Sequence, residues 1–357
     1  MKKSKMLRRL AAVLLAGTMI MAMGTSAFAE EPDNNTVNVS FTKTLDMSKA
    51  EGASVPNVTF SYGIKAGERV EAAETTPEIL AGVGTPTIGT VEYGPSDGEK
   101  KDEEGKVIKT VNVDFSGVTF ERPGIYRYVI TENTTDNADI TNDINTTRYL
   151  DVYVVNGEND GYEIADFQLL SEAVQPNSGT GVYDGNAKSD GYTNTYTTYE
   201  LSLDKVVTGT MGDKGKEFEF TIDFEGPANS TFTYNEASVK LGEDGKGSVT
   251  GIKLADTTNP AVIKGIPSNV EYTITEKINA NEGYTTSYTV NGENETKGTT
   301  ISVQTMGKIN NAVVCTNVKN AVTPTGIVMN IAPYVLMVVV AAVLAIVFLR
   351  KRNTFEN

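Results

Sequence analysis

Apolar and polar positions alternate with period two along most of this chain. Thr110-Val111-Asn112-Val113-Asp114-Phe115, Tyr126 to Ile130 and Phe218-Glu219-Phe220-Thr221-Ile222 put apolar side chains on one face of an extended segment and polar ones on the other. Thr, Val, Ile and Tyr fill such runs, and Gly-, Asn- and Asp-rich turns break them, as in Asn156-Gly157-Glu158-Asn159-Asp160-Gly161. The pattern predicts short strands and turns without a sustained helix. About 290 residues of it are too many for one sandwich, so the expected fold is all-β with two tandem sandwich-like domains.

The two ends break the alternation. Lys2, Lys3, Lys5, Arg8 and Arg9 precede an apolar stretch from Leu10 to about Met23, and Ala27-Phe28-Ala29 follows. A basic region, a short apolar region and a small-x-small site read as a signal peptide, residues 1–29, cut after Ala29. At the other end Ile327 to Leu349 is an apolar run of 23 residues. At a helical rise of about 1.5 Å per residue it would reach roughly 34 Å, enough to cross a bilayer. Arg350, Lys351 and Arg352 close it, and cations there stop translocation and hold the tail on the cytoplasmic side. Such a helix is either a permanent single-pass anchor or a hold that lasts until the chain is cut.

An internal repeat sets the domain boundary. Phe41-Thr42-Lys43, Tyr128-Val129-Ile130-Thr131-Glu132 and Tyr192-Thr193-Asn194 are followed, in the same order, by Leu203-Asp204-Lys205, Tyr272-Thr273-Ile274-Thr275-Glu276 and Cys315-Thr316-Asn317. Each copy starts with a lysine in an alternating strand, has an Ile-Thr-Glu core and ends in Thr-Asn. Repeats of this size mark tandem domains, here 35–198 and 199–321, with 322–357 as the C-terminal signal.

Composition narrows the chemistry. There is one cysteine (Cys315), no histidine and no tryptophan. One cysteine in an exported chain forms no internal disulfide, so covalent stapling needs other chemistry. Cys315 lies in an apolar strand-like run and reads as a small buried hydrophobe. Without histidine the commonest general base and metal ligand are missing, and neither a metal nor a cofactor is expected. Removing both ends takes away eight of the 31 basic residues and one of the 46 acidic ones, leaving a formal charge of −22. That surface repels nucleic acid and anionic lipid.

Alternation turns the repeat into a constellation. Lys43 shares a face with Phe41, and Lys205 with Leu203 and Leu201, so both lysines point inward. Glu132 shares a face with Ile130 and Tyr128, and Glu276 with Ile274 and Tyr272. Desolvation disfavours an ammonium, leaving a nucleophilic amine, and keeps a carboxyl protonated so that it can donate to a carbonyl. If the carboxamide of Asn194 or Asn317 lies between them, the amine attacks its carbon while Glu132 or Glu276 polarises the oxygen and moves protons. Ammonia leaves and a Lys–Asn isopeptide bond remains, a single-turnover reaction accelerated by proximity. The ordinary alternative has snorkelling lysines, solvated glutamates and asparagines in turns. A secreted glycosidase would need paired carboxylates in an open cleft, whereas the Ile-Thr-Glu strands aim theirs into cores.

These residues resemble Gram-positive pilins and adhesins with reversed, collagen-adhesin B-type immunoglobulin-like domains, above all the two-domain streptococcal major pilin type. The resemblance covers nearly all of the mature chain. It implies that Lys43, Glu132 and Asn194, and Lys205, Glu276 and Asn317, are the crosslinking trios. The tail Val322-Thr323-Pro324-Thr325-Gly326, apolar run and basic stub resembles a cell-wall sorting signal. In that family a sortase cuts between Thr and Gly, here Thr325 and Gly326, and joins the Thr carboxylate to an amine. The third-position proline departs from the common Leu-Pro start, and the lack of Trp departs from the tryptophan-containing motif of some backbone pilins.

The acceptor in similar pilins is a lysine just before the last strand of the first domain. Lys188 lies six residues before Asn194 in a turn-rich, exposed-looking loop and is the only lysine between Lys109 and Lys205. It reads as that acceptor or as an ordinary surface lysine. The expected function is a sortase-assembled pilus subunit at the cell surface. Its implied partners are sortase, neighbouring copies of itself, peptidoglycan and a possible host ligand, with the membrane a partner only before sorting. The runner-up is a wall-anchored monomeric adhesin of the same architecture.

Overall fold

The computed structural model describes residues 37–157, 161–321 and 334–345. Alternation in the sequence becomes alternation in burial. Along Tyr199–Thr208, Phe218–Glu225 and Asn311–Val318 every second side chain is buried between sheets.

Four principal sheets form two pairs. In the first pair, one sheet runs Thr87–Ile88, Lys106–Asp114, Ser40–Lys49, Gly191–Thr197, Ile140–Thr141. Its partner runs Tyr162–Leu170, Thr147–Asn156, Gly124–Glu132, Tyr62–Ala66, with Ile79–Ala81 also on Gly124–Glu132. A core extending from Val39 to Tyr196 fills the space between them. In the second pair, Tyr199–Thr208 lies between Ala261–Ile266 and Asn311–Val318, and Phe218–Glu225 lies between Lys246–Leu254 and Glu271–Lys277 in the facing sheet. A second core extends from Leu201 to Cys315.

In both pairs the first strand lies parallel to the last, and the register is the same. Lys43 stands opposite Tyr192 and Leu45 opposite Asn194, while Lys205 stands opposite Cys315 and Val207 opposite Asn317. In each case the asparagine is two residues beyond the residue facing the lysine, on the same face of the sheet.

Two clasps join the sandwiches. Ser54 N–H donates to Thr231 O at 2.9 Å, and Thr231 N–H returns a bond to Ser54 Oγ at 3.0 Å. Opposite them, Ser268 N–H donates to Asp139 Oδ2 at 2.9 Å and Lys308 Nζ to Ala138 O at 2.6 Å. A cavity of about 410 Å³, lined in part by Ser54, Asp139, Tyr196 and Ser268, lies at this junction.

Residues 334–345 are helical, and among the described residues no helix is long and apolar enough to cross a membrane. The expected signal peptide, Thr325 and Gly326, and the remainder of the 327–349 run lie outside the described residues.

Candidate functional site

Each sandwich encloses one lysine, one glutamate and one asparagine, supplied by the first strand, a central strand of the facing sheet and the last strand. All six are at most 3 % exposed. Burying so many polar groups costs several kcal/mol per ion unless they meet one another.

In the second sandwich they do. Lys205 Nζ lies 2.8 Å from Glu276 Oε1, and Asn317 Nδ2 donates to that same oxygen at 2.7 Å. One carboxylate oxygen therefore touches both the amine and the carboxamide that an isopeptide bond would join. Thr286 Oγ1 donates to Glu276 Oε2 at 2.9 Å and fixes the carboxyl plane. Asn317 Oδ1 is buried with no hydrogen-bond partner among the described residues. The Phe218 ring, with its centroid 4.4 Å from Lys205 Nζ, walls the amine off from water.

The first sandwich has the same parts in a different arrangement. Lys43 Nζ donates to Glu132 Oε1 at 2.6 Å, and the Phe60 centroid is 4.1 Å from the amine. Burial lowers the Lys43 amine from 10.5 to about 8, with the Glu132 carboxylate opposing the shift. The lysine thus has a partner that the alternation pattern did not predict, and desolvation still outweighs it. Asn194 turns to the loop before Thr147–Asn156: its Oδ1 accepts from Asp143 N–H at 3.0 Å and its Nδ2 donates to Asn142 Oδ1 at 3.3 Å. A backbone N–H on the carbonyl oxygen is the kind of donor that stabilises charge during attack on the carbon. Among the described residues Glu132 Oε2 is buried without a hydrogen-bond partner.

Asp143 and Thr286 were not singled out by sequence reasoning. Asp143 belongs to a turn-forming Asn-Asp stretch and gives no periodic signal; Thr286 sits in a buried strand where Thr is ordinary. Cys315 is fully buried, 3.3 Å from Lys205 Nζ, and burial pushes its thiol up to about 12. That is an inert thiol packed beside the amine. Among the described residues no group of three or more His, Cys, Asp or Glu side chains could hold a metal.

Lys188 is half-buried rather than exposed. It follows a short 3-10 turn, Gly185–Ala187, and its backbone bridges to Leu170. Ser171 N–H donates to Ala187 O at 2.8 Å and Ser189 N–H to Leu169 O at 3.0 Å, so the lysine is carried on a fixed backbone.

Residues 39–197 match the family model described as Spy0128-like isopeptide containing domain, and 199–319 match a domain of unknown function, DUF7601. A protein named pilin, from Streptococcus pyogenes serotype M1, is 26% identical over 96% of this chain and 98% of its own length. The chain is similar to streptococcal pilins. The crystal structure of the major pilin from Streptococcus pyogenes superposes with a TM-score of 0.60 at 24% identity, over 81% of this chain and 100% of that one, a likeness of fold. The pilus tip adhesin Cpa from the same species is 37% identical over a shorter stretch, 36% of this chain and 18% of its own. Neither relative is named as an enzyme, and both likenesses agree with the resemblance that the sequence carries.

Proposed function

We propose that this chain is a structural subunit of a covalently polymerised surface pilus. Its two domains, 35–198 and 199–321, each carry an autocatalytic Lys–Asn isopeptide bond. The observation that carries the reading is the repeated trio, two buried Lys–Glu–Asn sets in one strand register. In the second set, amine and carboxamide share one glutamate oxygen. The end-to-end likeness to a streptococcal pilin supports it.

In each domain the amine attacks the carboxamide carbon, a C–N bond forms, and the carboxamide nitrogen leaves as ammonia. Glu132 and Glu276 take the amine proton and return it to the leaving nitrogen. The signal peptide exports the chain, the C-terminal run holds it in the membrane, and sortase cuts between Thr325 and Gly326. The Thr325 acyl group passes to Lys188 of the next copy, and in the copy that ends the shaft it passes to a peptidoglycan amine instead. Intact-mass measurement of the ectodomain should find the chain lighter by two ammonias, and a mass equal to the plain chain would sink the crosslinks.

The partial likeness to a pilus tip adhesin keeps a second reading, a wall-anchored monomeric adhesin that binds a host ligand. Lys188→Ala separates the two. The shaft reading expects a high-mass ladder in wall extracts that this substitution abolishes; a protein never polymerised gives no ladder in either form.

A further inference from the structure

The outer face of the sheet that carries Glu132 holds a charged pair unrelated to the crosslinks. Arg127 and Asp151 stand directly opposite each other on adjacent strands, on the face that alternation assigns to solvent. Yet Arg127 is 2% exposed and Asp151 0%. The guanidinium grips the carboxylate twice, Nε to Oδ1 at 2.7 Å and Nη2 to Oδ2 at 2.6 Å. A buried ion pair of this kind is often no more stabilising than an apolar pair of the same volume, so stability alone gives a weak reason for it.

What covers the pair is the segment 171–190. Tyr183 Oη donates to Asp151 Oδ2 at 2.6 Å, and Arg127 Nη2 donates to the carbonyl of Val174. Burial, then the Asp151 charge, push the Tyr183 hydroxyl up, which keeps it a donor. Gln175 Nε2 adds bonds to Glu71 O at 3.1 Å and Pro77 O at 2.9 Å. A connection of this length is ordinarily mobile; here its middle is tied to an ionic hub and its base is closed by the pairing of Leu170 with Lys188. The segment contains one lysine, Lys188.

We infer that Arg127, Asp151 and Tyr183 are positioning residues for inter-subunit transfer, holding the 171–190 segment so that Lys188 is presented to the incoming acyl group. The inference rests on the reading of Lys188 as the acceptor. In the step itself the neutral Lys188 amine attacks the Thr325 carbonyl carbon held as an acyl-enzyme on sortase. The amide C–N bond forms, the bond to the enzyme breaks, and the amine proton passes to the departing enzyme group. Holding the amine on a fixed backbone removes the entropy of finding the acyl carbon, an effect that a mobile loop forfeits.

The test uses the ectodomain as acceptor, the cognate sortase, and a donor peptide containing Val-Thr-Pro-Thr-Gly. Tyr183→Phe removes a single hydroxyl. It should lower the acceptor kcat/KM at least tenfold, raise amide hydrogen exchange within 171–190 alone, and leave both isopeptide masses unchanged. Arg127→Met combined with Asp151→Leu replaces the pair by apolar groups and should keep or raise the melting temperature while transfer falls as far or further. Mapping the acyl position by mass spectrometry should then find other lysines used beside Lys188. Wild-type transfer in both variants, or unchanged exchange across 171–190, overturns the positioning role. Lys188→Arg reports on the underlying reading separately: if it accepts the peptide at the wild-type rate, the acceptor assignment falls and this inference falls with it.

Discussion

Lys43 is a lysine whose surroundings pull in opposite directions. Glu132 Oε1 at 2.6 Å favours the ammonium, and a dry core with the Phe60 ring against the amine disfavours it. Desolvation wins, and the amine titrates near 8, close enough to neutrality to supply a free nucleophile in the folded protein. The consequence is measurable in Asn194→Ala, which cannot crosslink. The folded value of about 8 lies below the unfolded value of 10.5, so between them the unfolded chain binds more protons. This contribution to stability therefore rises from pH 8 towards 10.5 and is lost as the pH falls through 8. Melting curves of Asn194→Ala should show that rise relative to a Lys43→Met/Glu132→Gln/Asn194→Ala chain. A difference independent of pH in that window would mean that burial does not depress the amine.

At the scale of elements, chemistry depends on register between strands about 150 residues apart in sequence. Gly191 helps to set it. Its φ is +156°, and a Cβ placed there would sit 1.8 Å from Thr42 O at the start of the parallel pairing that aligns Leu45 with Asn194. Gly191→Ala must push the last strand away from the first, an overpacking that costs about 3 kcal/mol. Its intact mass is expected to lack one ammonia instead of two, with the second sandwich untouched; loss of both ammonias would mean that the register tolerates the shift. The strands themselves and the inward aim of Lys43, Glu132, Lys205 and Glu276 were legible, because a period of two assigns faces without any knowledge of partners. Contacts across the core were not: alternation does not say that Lys43 meets Glu132 or that Asp143 caps Asn194. Arg127 and Asp151 give no such signal, since both occupy the polar phase of their strands. They are buried because a segment distant in sequence folds over them, and periodicity carries no trace of that cover. Lys188 is half-buried for a related reason, its loop being stitched to Leu170.

At the scale of the whole molecule the two proposed crosslinks would not be equivalent. If tension enters a subunit at Lys188 and leaves at Thr325, the backbone between them is 137 residues long, and a bond from Lys205 to Asn317 brackets 112 of these. The 25 residues left outside the bracket could extend by only about 85 Å, against roughly 470 Å for the whole path, at about 3.4 Å per residue. The first sandwich contributes only its last strand to that path, yet the clasps of Ser54 with Thr231 and of Asp139 with Ser268 tie its body to the loaded one. These clasps are a few hydrogen bonds, each with a net worth of about 1 kcal/mol, so they yield long before covalent bonds do. The proposed bond from Lys43 to Asn194 would then act mainly on the unfolded state, where by analogy with disulfide loop closure it would add on the order of 5 kcal/mol against heat and proteases. In single-molecule pulling between Lys188 and residue 325, Asn317→Ala should therefore release a long extension that the wild-type chain lacks, while Asn194→Ala should stretch almost like wild type but melt earlier. Equal extensions in the two variants would mean that force enters the subunit somewhere other than Lys188.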